Sequence, residues 1–170
     1  MSVSRSETRA FLGDFLHAPE RGRIEFLQGA LVVVNSSGTI EAVHRAGAGP
    51  IAELCGVHAR AGRLETRPAG TSWVPGMVDL HVHAPQWPQL GLALDLPLEE
   101  WLQAHTFPLE ARCADPEFAR GIYESLVDAL LANGTTTALY YASIHLPATQ
   151  RLADICLARG QRALVGRSRG

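Results

Sequence analysis

Two histidines separated by one residue, His81 and His83, carry the clearest chemical signal in the chain. They lie in the segment PGMVDLHVHAPQ, where a proline-glycine pair breaks the chain and Met77–Val82 predicts a mostly apolar strand, suited to burial in a parallel sheet. Side chains alternate between the faces of a strand, so Asp79 and both imidazoles should point the same way. Two neutral imidazoles that converge on one point can chelate a divalent metal. We therefore predict that His81 and His83 are metal ligands, with Asp79 placed to orient one of them.

A polar face on an edge strand is the alternative interpretation of the same histidines. His81 and His83 would then line that face and pair with carboxylates rather than with a metal. The rest of the strand argues against this, because Val78, Leu80 and Val82 should share the opposite face. Burying two imidazoles without a ligand or partner would be costly, which favours the metal interpretation.

The helix that follows this segment has the strongest sequence signature in the chain. Asp115 has the side chain of an N-cap, and a proline and a glutamate follow in the first turn. Asn133-Gly134 supplies a left-handed C-terminal cap. Apolar side chains recur every four residues between these ends, at Phe118, Ile122, Leu126 and Leu130.

The remainder of the C-terminal half alternates between predicted strands and helices. Thr135–Ile144 is β-branched and aromatic, as in a buried strand, and Pro147 and Gly160 bracket a further helix. A last strand begins around Ala163–Val165. The order strand, helix, strand, helix, strand is typical of parallel βαβ units, so we expect an α/β barrel or a doubly wound sheet.

The N-terminal half has a different pattern, with short apolar runs interrupted by glycine and proline. Ala10–His17 and Ile24–Asn35 predict strands. Asn35-Ser36-Ser37-Gly38 has turn chemistry and precedes the alternating run Thr39–Val43, so a hairpin is expected. Near-helical spacing of apolar residues between Ile51 and Val57 predicts one short helix.

Composition excludes several classes of function. The formal net charge is -2, without the basic stripe that a phosphate backbone requires, so nucleic acid is not expected as a partner. The longest aliphatic run is far below membrane-spanning length, and the N-terminus has no signal-peptide h-region, so no membrane partner is expected. Three widely spaced cysteines without a CxxC pair favour a reducing, cytoplasmic setting. One class of zinc-dependent nucleobase deaminases has the sequence patterns HxE and PCxxC. Neither pattern occurs in this sequence, so that class is excluded.

The segment PGMVDLHVHAPQ resembles the first barrel strand of the amidohydrolases and, more narrowly, of the guanine deaminase family. Leu94–Arg112 is similar to that family's loop and helix after strand one, Asn133–His145 to its second strand, and Gly160–Gly166 to the entry of its third. HxH alone is specific only to the superfamily, whereas HAPQ and DLPLxEWL point to the narrower group. The resemblance implies an α/β fold in which residues 74–170 form about the first three strands of an incomplete, truncated TIM-type (β/α)8 barrel. Residues 1–73 would be the N-terminal part of a small β-sandwich domain.

The activity that this resemblance implies is hydrolytic deamination of guanine to xanthine and ammonia by a zinc-activated water. One zinc ion would be held by His81 and His83, with the remaining ligands outside this chain. A bound cation lowers the pKa of its water from ~15.7 towards ~7, which makes hydroxide available at neutral pH.

The resemblance also implies a contact segment for the purine, formed by His83, Ala84, Pro85 and Gln86. Gln86 is the informative member, because its amide can both donate to and accept from the edge of guanine. Its alternative role is that of an ordinary loop glutamine. Trp87 could stack on the base or pack the loop. His105 and His145 could approach the mouth of the pocket, but neither repeats the HxH spacing. The remaining histidines are expected at the surface or as polar core residues, and they are His17, His44 and His58.

Chain length limits what this sequence can supply. A barrel of eight strands takes about 250 residues, and the segment after Val74 has room for at most three strands. The family's further histidines, aspartate, proton-shuttling acid and guanine-contacting arginine follow the third strand, so no catalytic residue is assigned here. We expect a truncated, alternatively spliced or frameshifted N-terminal part that is inactive alone, from a parent enzyme that is a homodimer. The alternatives are an amidohydrolase acting on a related heterocycle, and a non-catalytic isoform that associates with full-length subunits.

Overall fold

The computed structural model describes residues 7–167 and divides into two compact units, Met1–Pro75 and Gly76–Gly170. The predicted domain boundary, between residues 73 and 74, lies just before this division. Each unit contains its own sheet, and the two are described separately. Among the residues described, no helix is long and apolar enough to cross a membrane.

The first unit is a mixed five-stranded sheet with one helix. Its strands pair in the order β3-β2-β1-β4, and β5 also pairs with β1. β1, β2 and β3 are antiparallel neighbours, whereas β4 and β5 run parallel to β1. The elements are β1 (Arg9–Glu20), β2 (Arg23–Val34), β3 (Ile40–His44), α1 (Ile51–Arg60), β4 (Leu64–Thr66) and β5 (Ser72–Trp73).

The local predictions for this unit are confirmed, and β1 is longer than expected. Asn35 closes the β2–β3 hairpin, because its Oδ1 accepts hydrogen bonds from the backbone amides of Ser37 and Thr39 at 3.1 and 3.0 Å. The helix α1 packs Ile51 and Leu54 against a small core of buried side chains. The residues described in this unit form a single sheet, so the two-sheet sandwich stays a prediction.

The second unit is a three-stranded parallel sheet in the order β6-β7-β8, with helices between its strands. This mixed α/β arrangement confirms the expected βαβ pattern. Its elements are β6 (Met77–His83), a 3-10 helix (Ala84–Gln89), α2 (Leu98–Trp101), a π-helical turn (Leu102–Thr106), α3 (Phe107–Arg112), α4 (Pro116–Ala132), β7 (Thr135–Ala142), α5 (Leu146–Arg159) and β8 (Arg162–Arg167).

The helix α4 forms as its sequence predicts. Asp115 Oδ1 accepts a hydrogen bond from the backbone amide of Glu117 at 2.9 Å, which is the expected N-cap contact. Gly134 has a φ of +89°, the left-handed conformation expected at the end of the helix. The predicted stripe faces the sheet, where Ile122 and Leu126 are buried against the central strand β7.

The strand β6 is present, but its predicted burial is wrong. Met77, Val78 and Leu80 are 57%, 59% and 65% exposed. Within the described residues β6 pairs only with β7 and is therefore an edge strand. The helices α4 and α5 pack instead over the side chains of β7, where Ala138 and Tyr140 are buried.

The alternation of β6 is also interrupted. Asp79 pairs with Ala138 and Val82 pairs with Tyr140, so between these pairs β6 has one more residue than β7. Such a bulge shifts the faces on which side chains point. As a result, Val82 packs against the helix-covered core while Leu80 is exposed, and the predicted common face of the apolar residues is not formed.

Candidate metal and purine site

The imidazoles of His81 and His83 meet at the C-terminal end of β6. Their Nε2 atoms are 2.9 Å apart, and their ring centroids are separated by 4.9 Å. Two nitrogens that bind one tetrahedral zinc at the usual Zn–N distance lie about 3.3 Å apart. A small opening of the pair would therefore place both nitrogens at ligand distance, and the donor chemistry fits zinc.

The electrostatic environment of His83 favours the form that binds metal. The pKa of His83 is lowered, first because neighbouring groups displace water from part of its ring and second because of the charge of His81. A lowered pKa keeps the imidazole neutral at physiological pH. Neutral imidazole nitrogen is the ligand form that divalent metals require.

Asp79 contacts the backbone of the pair and not a ring. Its Oδ1 accepts a hydrogen bond from the backbone amide of His81 at 3.0 Å. This contact fixes the strand where its alternation is interrupted. It does not supply the ring hydrogen bond that commonly orients a ligating histidine.

A tyrosine on the neighbouring strand packs against both imidazoles. The ring centroid of Tyr141 lies 4.7 Å from that of His81 and 5.1 Å from that of His83, and its plane is 19° from that of His83. Tyr141 pairs with His83 in the parallel register of β6 and β7. Sequence reasoning missed this contact, because the register between two distant strands is not readable from either strand alone.

The 3-10 helix after β6 carries the predicted purine segment. Ala84 and Pro85 are buried, so their side chains are packed within the protein, whereas Gln86 is half-buried. Gln86 lines a cavity of about 370 Å³ that also borders the histidine pair. The structure thus brings His81, His83 and Gln86 to one cavity.

Trp87 has a packing role. Its Nε1 donates a hydrogen bond to Ser125 Oγ at 3.1 Å, and its ring packs against the core under α4. Of the two predicted roles, packing of the loop is the one that the structure shows. The ring also contributes to the wall of the cavity beside Gln86.

The other histidines lie outside this cavity. His105 is half-buried in the π-helical turn, and His145 is the N-cap of α5, but neither lines the cavity. Burial raises the pKa of Glu110, and the charge of His145 opposes that shift. The first unit holds His17, His44 and His58.

The described residues supply no larger ligand set. Between residues 7 and 167, no group of three or more histidine, cysteine, aspartate or glutamate side chains is placed to hold a metal ion. Two imidazoles provide half of a tetrahedral set.

The chain is similar to known proteins in sequence and in structure. Residues 73–168 match the model of the Amidohydrolase family. The chain is 35% identical to a probable guanine deaminase of Schizosaccharomyces pombe over 164 residues. This alignment covers 92% of the chain and 30% of that relative. A solved guanine deaminase from C. acetobutylicum, with guanine bound in the active site, superposes with a TM-score of 0.79 and 27% identity over 94% of this chain and 36% of that one.

A further solved structure bears on the metal. An adenosine deaminase from Xanthomonas campestris with bound zinc has a TM-score of 0.67 and 30% identity, covering 92% of this chain and 33% of that one. The chain spans about a third of the length of the curated relatives it matches.

Proposed function

Because the chain belongs to the amidohydrolase family, we propose that it serves the hydrolytic deamination of guanine to xanthine and ammonia, with zinc as cofactor. The observation that carries the proposal is the convergence of His81 Nε2 and His83 Nε2 at 2.9 Å beside the cavity that Gln86 lines. A bound zinc ion supplies hydroxide near neutral pH by lowering the pKa of a coordinated water. The two imidazoles would hold that ion.

The purine would be recognised by the segment that follows the metal ligands. The amide of Gln86 can donate one hydrogen bond and accept another, which matches the mixed edge of guanine. Ala84 and Pro85 are buried, so they would act by fixing the backbone that presents Gln86, or through their own backbone groups. His83 would join the metal to this purine segment, since it immediately precedes Ala84.

The wider architecture forms part of the same proposal. The second unit would be the first three strands of a (β/α)8 barrel, in which active sites lie at the C-terminal ends of strands, where His81 and His83 are found. The first unit would belong to the small β-domain that flanks such a barrel. A cytoplasmic location is supported by the three cysteines, Cys55, Cys113 and Cys156, which are all free thiols. That the full-length enzyme is a homodimer remains an expectation from the resemblance.

A related purine substrate is the second candidate. The likeness to a zinc-containing adenosine deaminase, at 30% identity, favours it specifically. The two substrates would differ in the position of the amino group that is hydrolysed, because guanine and adenosine carry it on different carbons of the purine ring. Binding of radiolabelled guanine and adenosine to the zinc-loaded chain, measured by equilibrium dialysis, separates the two candidates.

The proposal is tested by measuring zinc content and guanine binding together on the chain and its variants. His81→Ala should abolish zinc retention, whereas the matched control His58→Ala, on α1 in the first unit, should retain it. Gln86→Ala should keep zinc and weaken guanine binding. Zinc retention that survives His81→Ala would overturn the metal assignment, and guanine binding that survives both His81→Ala and Gln86→Ala would overturn the purine site.

A further inference from the structure

His81 and His83 lie on β6, which has fewer strand neighbours than the adjacent β7 among the described residues. β6 is paired on one side only among the described residues, and both imidazoles are exposed. β7 is paired on both sides, and its residues Tyr140 and Ala142 are buried under the helices. A side chain on β7 therefore has a more rigid base than one on β6.

Hydrogen bonds do not account for the orientation of the two rings. Within residues 7–167, the only side-chain hydrogen-bond contact of either ring is the one between the two Nε2 atoms. Ligating histidines usually donate their second ring N–H to a carboxylate or carbonyl, which fixes the ring. Among the described residues neither ring has that support.

The ring of Tyr141 packs against both imidazoles. Its centroid distances of 4.7 and 5.1 Å to the two imidazoles fall in the range of attractive aromatic pairs, and its plane is nearly parallel to that of His83. Tyr141 itself is 39% exposed. One ring thus limits the rotation of both ligands at once.

We propose that Tyr141 is a positioning residue that holds the imidazoles of His81 and His83 in the convergent, metal-binding orientation, an inference that rests on the proposed metal function. The ring of Tyr141 reduces the conformational freedom that the ligands must lose when the metal binds. The face of the aromatic ring performs this role, and the hydroxyl does not.

Zinc titration of the complete chain by calorimetry tests this role. Tyr141→Leu removes the ring and should weaken zinc binding by about two- to tenfold, the effect expected from losing aromatic pairs of this kind. Tyr141→Phe keeps the ring and should restore the wild-type affinity. Phe107→Leu removes another exposed aromatic ring of the same unit that does not line the cavity, and it should leave zinc affinity unchanged.

A second measurement is made without metal. The imidazole carbon–proton signals of His81 and His83 should shift in the NMR spectrum of Tyr141→Leu, and their relaxation should report faster ring motion. A purely structural tyrosine would alter stability and leave the ring motion as it was. Unchanged ring motion in Tyr141→Leu would therefore overturn the positioning role.

The outcomes separate this inference from the proposed function. If His81→Ala abolishes zinc binding while Tyr141→Leu leaves it intact, the metal site stands and the positioning role is wrong. If zinc binds equally well to His81→Ala and to the unmodified chain, the metal assignment itself fails. Weakened binding in Tyr141→Leu with restoration in Tyr141→Phe supports both.

Discussion

Tyr140 donates its phenolic hydrogen to Gln161 Oε1 at 2.6 Å, and both side chains are buried. The Nε2 group of the same amide donates to the backbone carbonyl of Thr135 at 3.0 Å. Gln161 immediately precedes β8, and its side chain therefore connects the start of β8 to Thr135 and Tyr140 of β7. Burial is the main reason that the pKa of Tyr140 is raised, so its hydroxyl remains a donor throughout the physiological range.

Removing either partner of this bond should destabilise the second unit, but not equally. Tyr140→Phe should lower the free energy of unfolding by about 1 kcal/mol, because Gln161 Oε1 keeps a contact with Cys156 Sγ. Gln161→Leu should cost at least about twice as much, since it removes the hydrogen bonds to both the Tyr140 hydroxyl and the Thr135 carbonyl. Urea denaturation followed by circular dichroism measures both values. A Gln161→Leu variant as stable as Tyr140→Phe would contradict the linking role of the amide.

A methyl group at Gly76 should be costly because β7 lies too close. A Cβ built at Gly76 would lie 2.6 Å from the Cβ of Thr136, well inside van der Waals contact. The Thr136 Cβ is fixed by its own backbone and cannot rotate away. We expect Gly76→Ala to destabilise the second unit by roughly 1–3 kcal/mol, measured by chemical denaturation.

The matched control for this substitution is Gly121→Ala on α4. Nothing lies within 4 Å of a Cβ built at Gly121, and the residue is inside a regular helix. Alanine should therefore stabilise the protein by about 0.5–1 kcal/mol. Destabilisation by both substitutions would show that the crowding at Gly76 is not the cause.

Burial should separate the three cysteines by reactivity. Cys113 and Cys156 are buried, and burial raises the pKa of both thiols, that of Cys156 to about 11. Only the thiolate is nucleophilic, so both should be unreactive in the folded protein, whereas half-buried Cys55 should be modified. Mass spectrometry after a brief maleimide pulse at pH 7.5 measures the modified sites. Denaturant should expose all three, and native labelling of Cys156 at the rate of Cys55 would contradict its burial.

The features predicted correctly from sequence are those encoded within one element. Asp115 determines the start of α4 through a contact two residues away, and Asn35 closes its hairpin through amides within four residues. His81 and His83 converge because residues two apart in a strand share a face. Each of these relationships needs only local geometry, which the sequence carries directly.

The features that were missed depend on how distant segments meet. Burial of Val78 and Leu80 requires a layer that covers β6, and the described residues place their helices over β7 instead. The interruption between Asp79 and Val82 appears only when β6 is aligned with β7. Tyr141 lies in a segment whose sequence predicts only a buried strand, and its contact with the two imidazoles follows from that same alignment.

An ion-pair network on the first sheet should make the pKa of Glu25 sensitive to a substitution at Arg45, which is distant in sequence but in direct contact. Arg45 Nη1 lies 2.8 Å from Glu25 Oε1, and His17 Nε2 lies 3.1 Å from Glu25 Oε2. The hydrogen bond from Arg45 is the largest cause of the lowered pKa of Glu25. Its lowered pKa means that the pairing stabilises the fold above the ordinary glutamate pKa and is lost as pH falls through the lowered value.

Replacing Arg45 should therefore raise the pKa of Glu25. In Arg45→Gln, carbon-detected NMR titration of the Glu25 carboxyl should give a higher midpoint, and the acid limb of the stability profile should move to higher pH. Arg23→Gln is the matched control, because Arg23 pairs with Glu20 across the neighbouring turn and not with Glu25. Since only a change at Arg45 removes the main hydrogen bond, an equal shift in both variants would mean that general surface charge, rather than this contact, determines the pKa of Glu25.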